Sequence, residues 1–226
     1  MKKVIIFSMV AAFALVFSGL CLAVELALEA ELANVIEPPQ VIAVPEDAAA
    51  FGPEPDAPSR GAFVWTPGEP LVGGANGNAG FIRFEINMPA AGTYAVWARV
   101  VAWDGNSDSF YSTWEPADPG VNPQDPADNN YRWSIGGGET WHWDRVEVWA
   151  DDDSHTDREW TLPAGPTTLT IWTREDAAML DCIFITDNLS SDEAEVSPRV
   201  PTDEDLAAVT PSGKLAVTWG SIRSAR

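Results

Sequence analysis

Two glutamates near the start of the chain, Glu29 and Glu31, stand two residues apart. The segment around them, residues 24–32 (VELALEAEL), alternates between apolar and acidic side chains, which is the pattern of a β-strand. A period of two places both carboxylates on one face, with their Cα atoms roughly 7 Å apart. Like charges on a half-buried strand repel each other unless they are neutralised. A hard cation with oxygen ligands would resolve this repulsion.

Asp181 is the natural third ligand of such a site. It lies in MLDCIFIT, at the start of the last expected strand, with apolar residues on both sides. The first and last strands of a sandwich often pair, and that pairing would bring Asp181 to the two glutamates. The sequence also leaves open that Glu29 and Glu31 form the solvated face of an edge strand.

A second group of residues combines aromatic side chains with short polar side chains. Aromatic rings cover the apolar faces of a small ligand, and polar side chains satisfy its hydrogen-bonding groups. We predict a ligand site at Trp103, Asp104, Asn106 and Asp108, with a second aromatic surface at Trp141 and Trp143. Structural roles are the alternative, since Asp and Asn cap their own loops and tryptophans fill sandwich cores.

No motif of a known catalytic site is present. The chain has two histidines, His142 and His155, and lacks nucleophile-elbow, zinc-protease and metal-spaced Cys/His patterns. Paired carboxylates can hydrolyse glycosides, but among 34 acidic residues some pair will always have a suitable separation. We therefore expect that the protein is not an enzyme.

The net charge of -21 limits the partners. Nucleic acids and anionic membrane surfaces are excluded, because both require basic patches. A strongly acidic surface suits an extracellular protein that also binds cations such as calcium.

The N-terminus resembles an export signal. Lys2 and Lys3 precede an apolar segment, residues 4–17, and a small residue, Ala23, ends the region. We predict a signal peptide over residues 1–23 and a secreted or cell-surface protein. The apolar segment is too short for a comfortable membrane span. A lipoprotein with Cys21 as the lipidated residue is the alternative.

The rest of the chain predicts an all-β fold. Short candidate strands alternate with Gly- and Pro-rich turns, which is typical of an antiparallel sandwich or barrel. The strands are expected at residues 62–66, 81–88, 93–103, 108–113, 131–135, 140–149, 159–162, 167–174 and 179–186.

Three segments lie outside the regular strand pattern. A Pro/Ala/Glu-rich connection is expected over residues 37–59, and residues 114–130 form a long polar loop. Residues 189–226 are predicted to be an acidic linker with a short C-terminal tail that the domain does not need for folding. The remaining cysteine, Cys182, is expected to be a buried hydrophobic residue, with a reactive thiol as the alternative.

Six segments, taken in order, resemble a carbohydrate-binding module of family 6 or family 35. They are EAEL, GAFVW, FEINMPAAGTYAVWARV, AWDGNSDSF, WHWDRV and LPAGPTTLTIWTREDAAMLDCIFITDN, and they span residues 24–188. The resemblance implies a galactose-binding-like β-sandwich (jelly roll) without catalytic machinery. It also implies a structural calcium held by Glu29, Glu31 and Asp181. The loop over residues 112–130 and the acidic run 151–153 depart from the family pattern.

The sequence therefore predicts a secreted, non-catalytic glycan- or polysaccharide-binding module with a structural calcium. Its alternative is a structural or adhesive surface protein that uses the same sandwich for protein contacts. A third possibility is an accessory or cryptic hydrolase. The sequence predicts neither the sugar nor the oligomeric state.

Overall fold

The computed structural model describes residues 23–49, 57–68, 80–125 and 128–209. The predicted signal peptide, apart from its last residue, and the end of the predicted tail, residues 210–226, lie outside the described residues. No helix within the described ranges is both long enough and apolar enough to cross a membrane.

The described residues form fourteen strands and three short α-helices, and the strands dominate. The strands are β1 (Glu25–Glu29), β2 (Val35–Glu37), β3 (Val41–Ala43), β4 (Phe63–Trp65), β5 (Phe81–Met88), β6 (Gly92–Ala102), β7 (Ser109–Glu115), β8 (Arg132–Ser134), β9 (Gly138–Arg145), β10 (Glu147–Trp149), β11 (His155–Asp157), β12 (Trp160–Leu162), β13 (Gly165–Thr173) and β14 (Met179–Thr186). The helices are α1 (Pro45–Ala48), α2 (Glu193–Val196) and α3 (Asp203–Val209).

Two antiparallel sheets form a sandwich, as predicted. The seven-stranded sheet has the order β12-β6-β14-β4-β3, with β1 also paired to β14 and β9 also paired to β6. The five-stranded sheet has the order β2-β5-β13-β7-β8, and β10 and β11 form a separate hairpin. The predicted pairing of the first strand with the last is confirmed, since β1 lies antiparallel to β14.

Alternation of side chains sets which face of each strand is buried. In β5, Ile82, Phe84 and Ile86 point into the core between the sheets, and the residues between them point outward. By contrast β14 is buried along its whole length, because both of its faces are covered. Alternating burial in β5 therefore reflects one face toward the core and one outward, and continuous burial in β14 reflects two covered faces.

The core between the sheets holds several large aromatic residues. Trp114 and Trp133 are fully buried there, each with 0% exposure. Phe110 and Trp160 pack beside them, with ring centroids 5.6 Å from Trp133 and 5.5 Å from Trp114, respectively. Much of the high tryptophan content of the chain therefore serves packing.

Three details differ from the sequence predictions. The Pro-rich connection contains two short strands, β2 and β3, and the helix α1. The strand expected over 140–149 is two strands, because the chain breaks at Val146, whose N–H donates to the carbonyl of Val96. Strand β11 is additional to the predicted strands. Its three residues are all exposed and show no apolar alternation.

Part of the predicted linker packs on the domain. Val196 at the end of α2 is 7% exposed and contacts Ala27, Trp97 and Phe184 on the outer side of the seven-stranded sheet. This contact also explains why the outer face of β1 is buried. Residues 189–206 thus include a segment, the cover, that packs through Val196 on the outer face of the seven-stranded sheet.

We expect Val196→Ala to lower the free energy of unfolding by about 1.5 kcal/mol, because it removes two buried carbon atoms. Urea denaturation measures this change. Leu189→Ala is the matched control, since Leu189 is 37% exposed and its truncation should change stability little. Equal midpoints for both variants and the wild type would show that the cover does not contribute to folding.

Candidate cation site and ligand surface

The predicted cation ligands gather where β1 ends and β14 begins. Glu29 is the last residue of β1 and stands opposite Cys182 in the antiparallel register. Asp181 is the residue before Cys182 on β14. One ligand atom each from Glu29, Asp181 and Cys182 lies within 4.8 Å of the others.

Glu31 lies near this cluster, because the charges of Glu29 and Asp181 act on its carboxyl, but it is not among the residues whose ligand atoms lie within 4.8 Å of one another. It is not on the strand, because the chain turns into a 3-10 helix over Ala30–Leu32 immediately after Glu29. The prediction of two carboxylates on one strand face is therefore wrong in its geometry. The turn is closed by the N–H of Ala33 donating to the carbonyl of Ala30, and it leaves Glu31 buried at 6% exposure.

Two arginines and a serine satisfy some of the carboxylate oxygens. Nη1 of Arg99 lies 2.6 Å from Oδ2 of Asp181, and Nε of Arg60 lies 3.4 Å from Oε1 of Glu29. The hydroxyl of Ser59 donates to the same Glu29 oxygen at 2.7 Å. These contacts neutralise the cluster only in part.

The remaining oxygens have no hydrogen-bond partner. They are Oε2 of Glu29, Oε2 of Glu31 and Oδ1 of Asp181, all buried. Burial raises the pKa of Glu29 to about 7, and burial together with the charge of Glu29 raises the pKa of Glu31 to about 8. Burial also raises the pKa of Asp181.

This donor set fits a hard cation. Calcium takes oxygen ligands at about 2.3–2.6 Å, so two carboxylate oxygens within 4.8 Å can bind the same ion. The Cys182 thiol is a neighbour and not a suitable ligand, because burial raises its pKa and keeps it protonated. The burial of Cys182 agrees with the structural role expected for it.

The loop predicted to bind ligand lies between β6 and β7. Oδ1 of Asp104 accepts the N–H of Asn106 at 2.8 Å, which is the Asx-turn that the sequence left open. Asn106 is exposed, and Asp104 and Asp108 are partly exposed. This loop meets the turn after β13, where Glu175 accepts the N–H of Asp108 at 2.9 Å.

Carboxylates crowd this end of the sandwich. Burial and the charge of Glu175 raise the pKa of Asp108 to about 6, and burial raises the pKa of Asp176. Buried oxygens of Asp104, Asp108 and Asp176 have no hydrogen-bond partner. These oxygens are buried in the loop cluster, and the role of Asp104, Asn106 and Asp108 in binding a ligand stays a prediction.

Two of the tryptophans that were predicted to bind the ligand are buried. Trp103 and Trp141 are 8% and 9% exposed and belong to a small core cluster with Phe63 and Met179. In this conformation neither ring presents an open face for a sugar, so the structure does not support a stacking role for them. Trp143 is partly exposed and packs against the cluster around Val196.

An aromatic row that the sequence reasoning missed crosses the outer face of the five-stranded sheet. The registers align Glu37, Phe81, Trp172, Tyr111 and Arg132 side by side on neighbouring strands. The rings of Phe81 and Trp172 are both partly exposed, with centroids 5.1 Å apart. Period-two alternation in β5 and β13 was the signal that could have placed both rings outward.

Polar groups flank this row on both sides. On one side Arg83, Thr170 and Thr113 form the next row, and the indole N–H of Trp172 donates to Thr113 Oγ1 at 2.9 Å. On the other side Ser109 follows Asp108 and leads to the carboxylate-rich loops. The aromatic row and the loop cluster thus belong to one end of the sandwich.

Several solved structures are similar to this chain. A family 35 carbohydrate-binding module from Clostridium thermocellum is 13% identical over 72% of this chain and 98% of that chain, with a TM-score of 0.46. The C-terminal family 6 module of LamC, a marine laminarinase from Zobellia galactanivorans, is 18% identical over 72% of this chain and 98% of that chain, with a TM-score of 0.42. A GH26-CBM35 β-(1,4)-mannanase from Podospora anserina is 14% identical over 79% of this chain, with a TM-score of 0.46, and the chain spans only 28% of that enzyme.

The likeness is one of fold. Two of these structures are carbohydrate-binding modules of family 6 and family 35. No protein-family model and no curated protein sequence matches the chain.

Proposed function

We propose that this chain is a secreted, non-catalytic glycan-binding module whose ligand lies on Phe81 and Trp172. One observation carries the proposal: two adjacent aromatic rings remain partly exposed on the outward face of the five-stranded sheet. The rings lie on the solvent side of strands whose opposite faces, with Ile82 and Ile171, fill the core. The proposal agrees with the family resemblance in the sequence.

The surface has the two components that sugar recognition requires. The indole of Trp172 can cover the C–H face of a sugar ring, at a gain on the order of 1 kcal/mol. The hydroxyls then need partners, because an unpaired polar group costs a similar amount. Arg83 lies beside the rings, and the partly exposed Asp104 and Asp108 lie in the adjoining loop. Binding of a short sugar in the range of about 1 µM to 1 mM follows from so few contacts.

Trp172→Ala should weaken binding to a soluble polysaccharide about five- to tenfold, because it removes the stacking surface. Affinity gel electrophoresis against a panel of polysaccharides measures the change. Trp143→Ala is the comparison variant, since Trp143 is a partly exposed tryptophan on the other sheet and tests the aromatic surface predicted from the sequence. Melting curves of both variants separate a lost contact from a lost fold.

The outcome also distinguishes the two candidate surfaces. If Asn106→Ala weakens binding while Trp172→Ala does not, the ligand contacts the loop predicted from the sequence, and the sheet face has no role. If no polysaccharide binds the wild type, the glycan-binding proposal fails as a whole.

We further propose that Glu29, Glu31 and Asp181 hold a structural Ca²⁺ that ties β1 to β14. The support is three buried carboxylates, each with an oxygen that lacks a protein partner. Two arginines offset part of their charge and leave a net negative site for a divalent ion.

A structural or adhesive protein that acts through protein contacts is the second candidate. Its support is β3 at the edge of the seven-stranded sheet, where Val41 and Ile42 are 38% and 45% exposed. An exposed apolar edge strand can pair with another chain. A change in the tryptophan fluorescence of the protein on addition of polysaccharide would support the glycan-binding function. Concentration-dependent assembly without any response to sugar would support the structural or adhesive function.

A further inference from the structure

The edge of the seven-stranded sheet at β3 is apolar and open. Strand β3 pairs with β4 on one side and has no partner strand on its other side among the described residues. Val41 and Ile42 point to opposite faces of the sheet, yet they are 38% and 45% exposed. Val44, directly after the strand, is 38% exposed as well. Natural proteins cover or blunt such an edge, because its free N–H and C=O groups are a template for another strand.

The end of the chain carries the sequence pattern of a strand. Residues 214–219, KLAVTW, alternate in polarity, with Leu215, Val217 and Trp219 at every second position. Turn-forming residues bound this segment, with Pro-Ser-Gly before it and Gly220 after it. These residues lie beyond the described part of the chain, so the comparison with β3 rests on their sequence.

The charges of the segment and of the edge are complementary. Residues 210–226 contain three basic residues and no acidic residue, in a chain whose net charge is -21. Around β3 the exposed charges are acidic: Glu37 lies before the strand, and Glu46 and Asp47 lie after it. The edge therefore attracts the one stretch of the C-terminal region that is basic.

The described chain also ends near this edge. Asp203, at the start of α3, forms a salt bridge with Arg60. Arg60 lies just before β4, in which Phe63 stands opposite Ala43 of β3. Helix α3 carries the chain about 9 Å further, and residues 210–226 can span up to about 55 Å. The segment can therefore reach β3 of its own molecule, and a short tether favours that contact over one with a second copy.

We propose that residues 214–219 add to the free edge of β3 as a further strand of the seven-stranded sheet in the same molecule. The backbone of the segment pairs with the open N–H and C=O groups of β3, as an extended peptide does when it adds to a sheet. Its apolar side chains become cross-strand neighbours of Val41 or Ile42. This inference does not rest on glycan binding, and it closes the edge on which the structural or adhesive function depends.

Hydrogen exchange of the β3 amides in the full-length chain, followed by NMR, tests the pairing. Val217→Pro should speed exchange of the amides that point away from β4 by about tenfold or more, because proline inside a strand removes a donor and disrupts pairing. Ser224→Pro, outside the segment, is the matched control and should exchange like the wild type. Both substitutions lie beyond α3, and equal melting temperatures would show that the domain itself is unchanged.

The outcomes distinguish three occupants of the edge. Slow exchange that is lost in Val217→Pro and does not depend on protein concentration supports the intramolecular strand. Equal exchange in the wild type and both variants overturns it. Slow exchange that appears only at high protein concentration, together with a dimer in sedimentation, overturns it in favour of a second copy of the chain. No sugar is present in these measurements, so their result is separate from that of the glycan-binding proposal.

Discussion

Millimolar calcium is expected to raise the melting temperature of the chelator-treated protein by roughly 5–10 °C. A ligand that binds only the folded state at one hundred times its dissociation constant stabilises it by about 2.7 kcal/mol. The ion would join Glu29 and Glu31 to Asp181, and the three buried oxygens that lack partners would become its ligands. Differential scanning fluorimetry with and without chelator measures the shift.

The same cluster predicts how the metal-free protein responds to pH. Folding raises the pKa of Glu29 from 4.5 to about 7 and that of Glu31 from 4.5 to about 8, mainly through burial. Between pH 4.5 and 8 the folded state therefore holds more protons than the unfolded state, so stability falls as pH rises. Calcium should remove this fall, because it neutralises the ionised carboxylates.

Glu31→Gln is the decisive variant, since it mimics the protonated side chain at every pH. It should lose most of the calcium shift and be more stable than metal-free wild type at pH 8. Glu85→Gln, at an exposed position, is the control and should behave like the wild type. A calcium response that survives Glu31→Gln, or a wild type that calcium leaves unchanged, would contradict the site.

Trp103→Ala is expected to lower the free energy of unfolding by about 3–5 kcal/mol, the range for truncating a large buried aromatic residue. Trp103 is 8% exposed and packs in the small cluster with Val101 and Met179. Loss of the indole would leave a cavity that this cluster cannot close. Chemical denaturation monitored by circular dichroism gives the change directly.

Asn106→Ala serves as its control in the same loop, because Asn106 is exposed and should change stability by under about 0.5 kcal/mol. If Trp103→Ala were as stable as the wild type but bound glycans poorly, Trp103 would be a ligand contact and not a core residue. The two variants thus separate the packing role from the binding role predicted from the sequence.

The strands were predictable where local pattern and burial agree. Strands β5 and β14 begin and end where the sequence indicated, since one alternates cleanly and the other is a mostly apolar run. Strands β2 and β3 were not predictable, because each has three residues beside prolines and is held by its partner strand. Their pairing with β5 and β4 is a tertiary effect.

The cation cluster was predictable in composition and not in geometry. Buried acids beside apolar residues indicated that Glu29 and Asp181 need a partner. The 3-10 turn at Ala30–Leu32 has no strong sequence signal, and it moves Glu31 off the strand. For the aromatic residues, composition alone could not distinguish buried Trp103 from partly exposed Trp172. Period-two alternation in β5 and β13 could have placed Phe81 and Trp172 outward, and the register of these strands shows that the two rings are neighbours.

The pairing of β1 with β14 has a consequence for the order in which the protein can fold. The N–H of Val24 donates to Oδ1 of Asp187, 163 positions away along the chain. At ribosomal speeds of 5–20 residues per second, β1 waits roughly 8–30 s for its partner strand to be synthesised. During that time the apolar side chains of Leu26 and Leu28 have no sheet to join. Closure of so long a loop is entropically slow, so we expect the seven-stranded sheet to form late and after the five-stranded sheet.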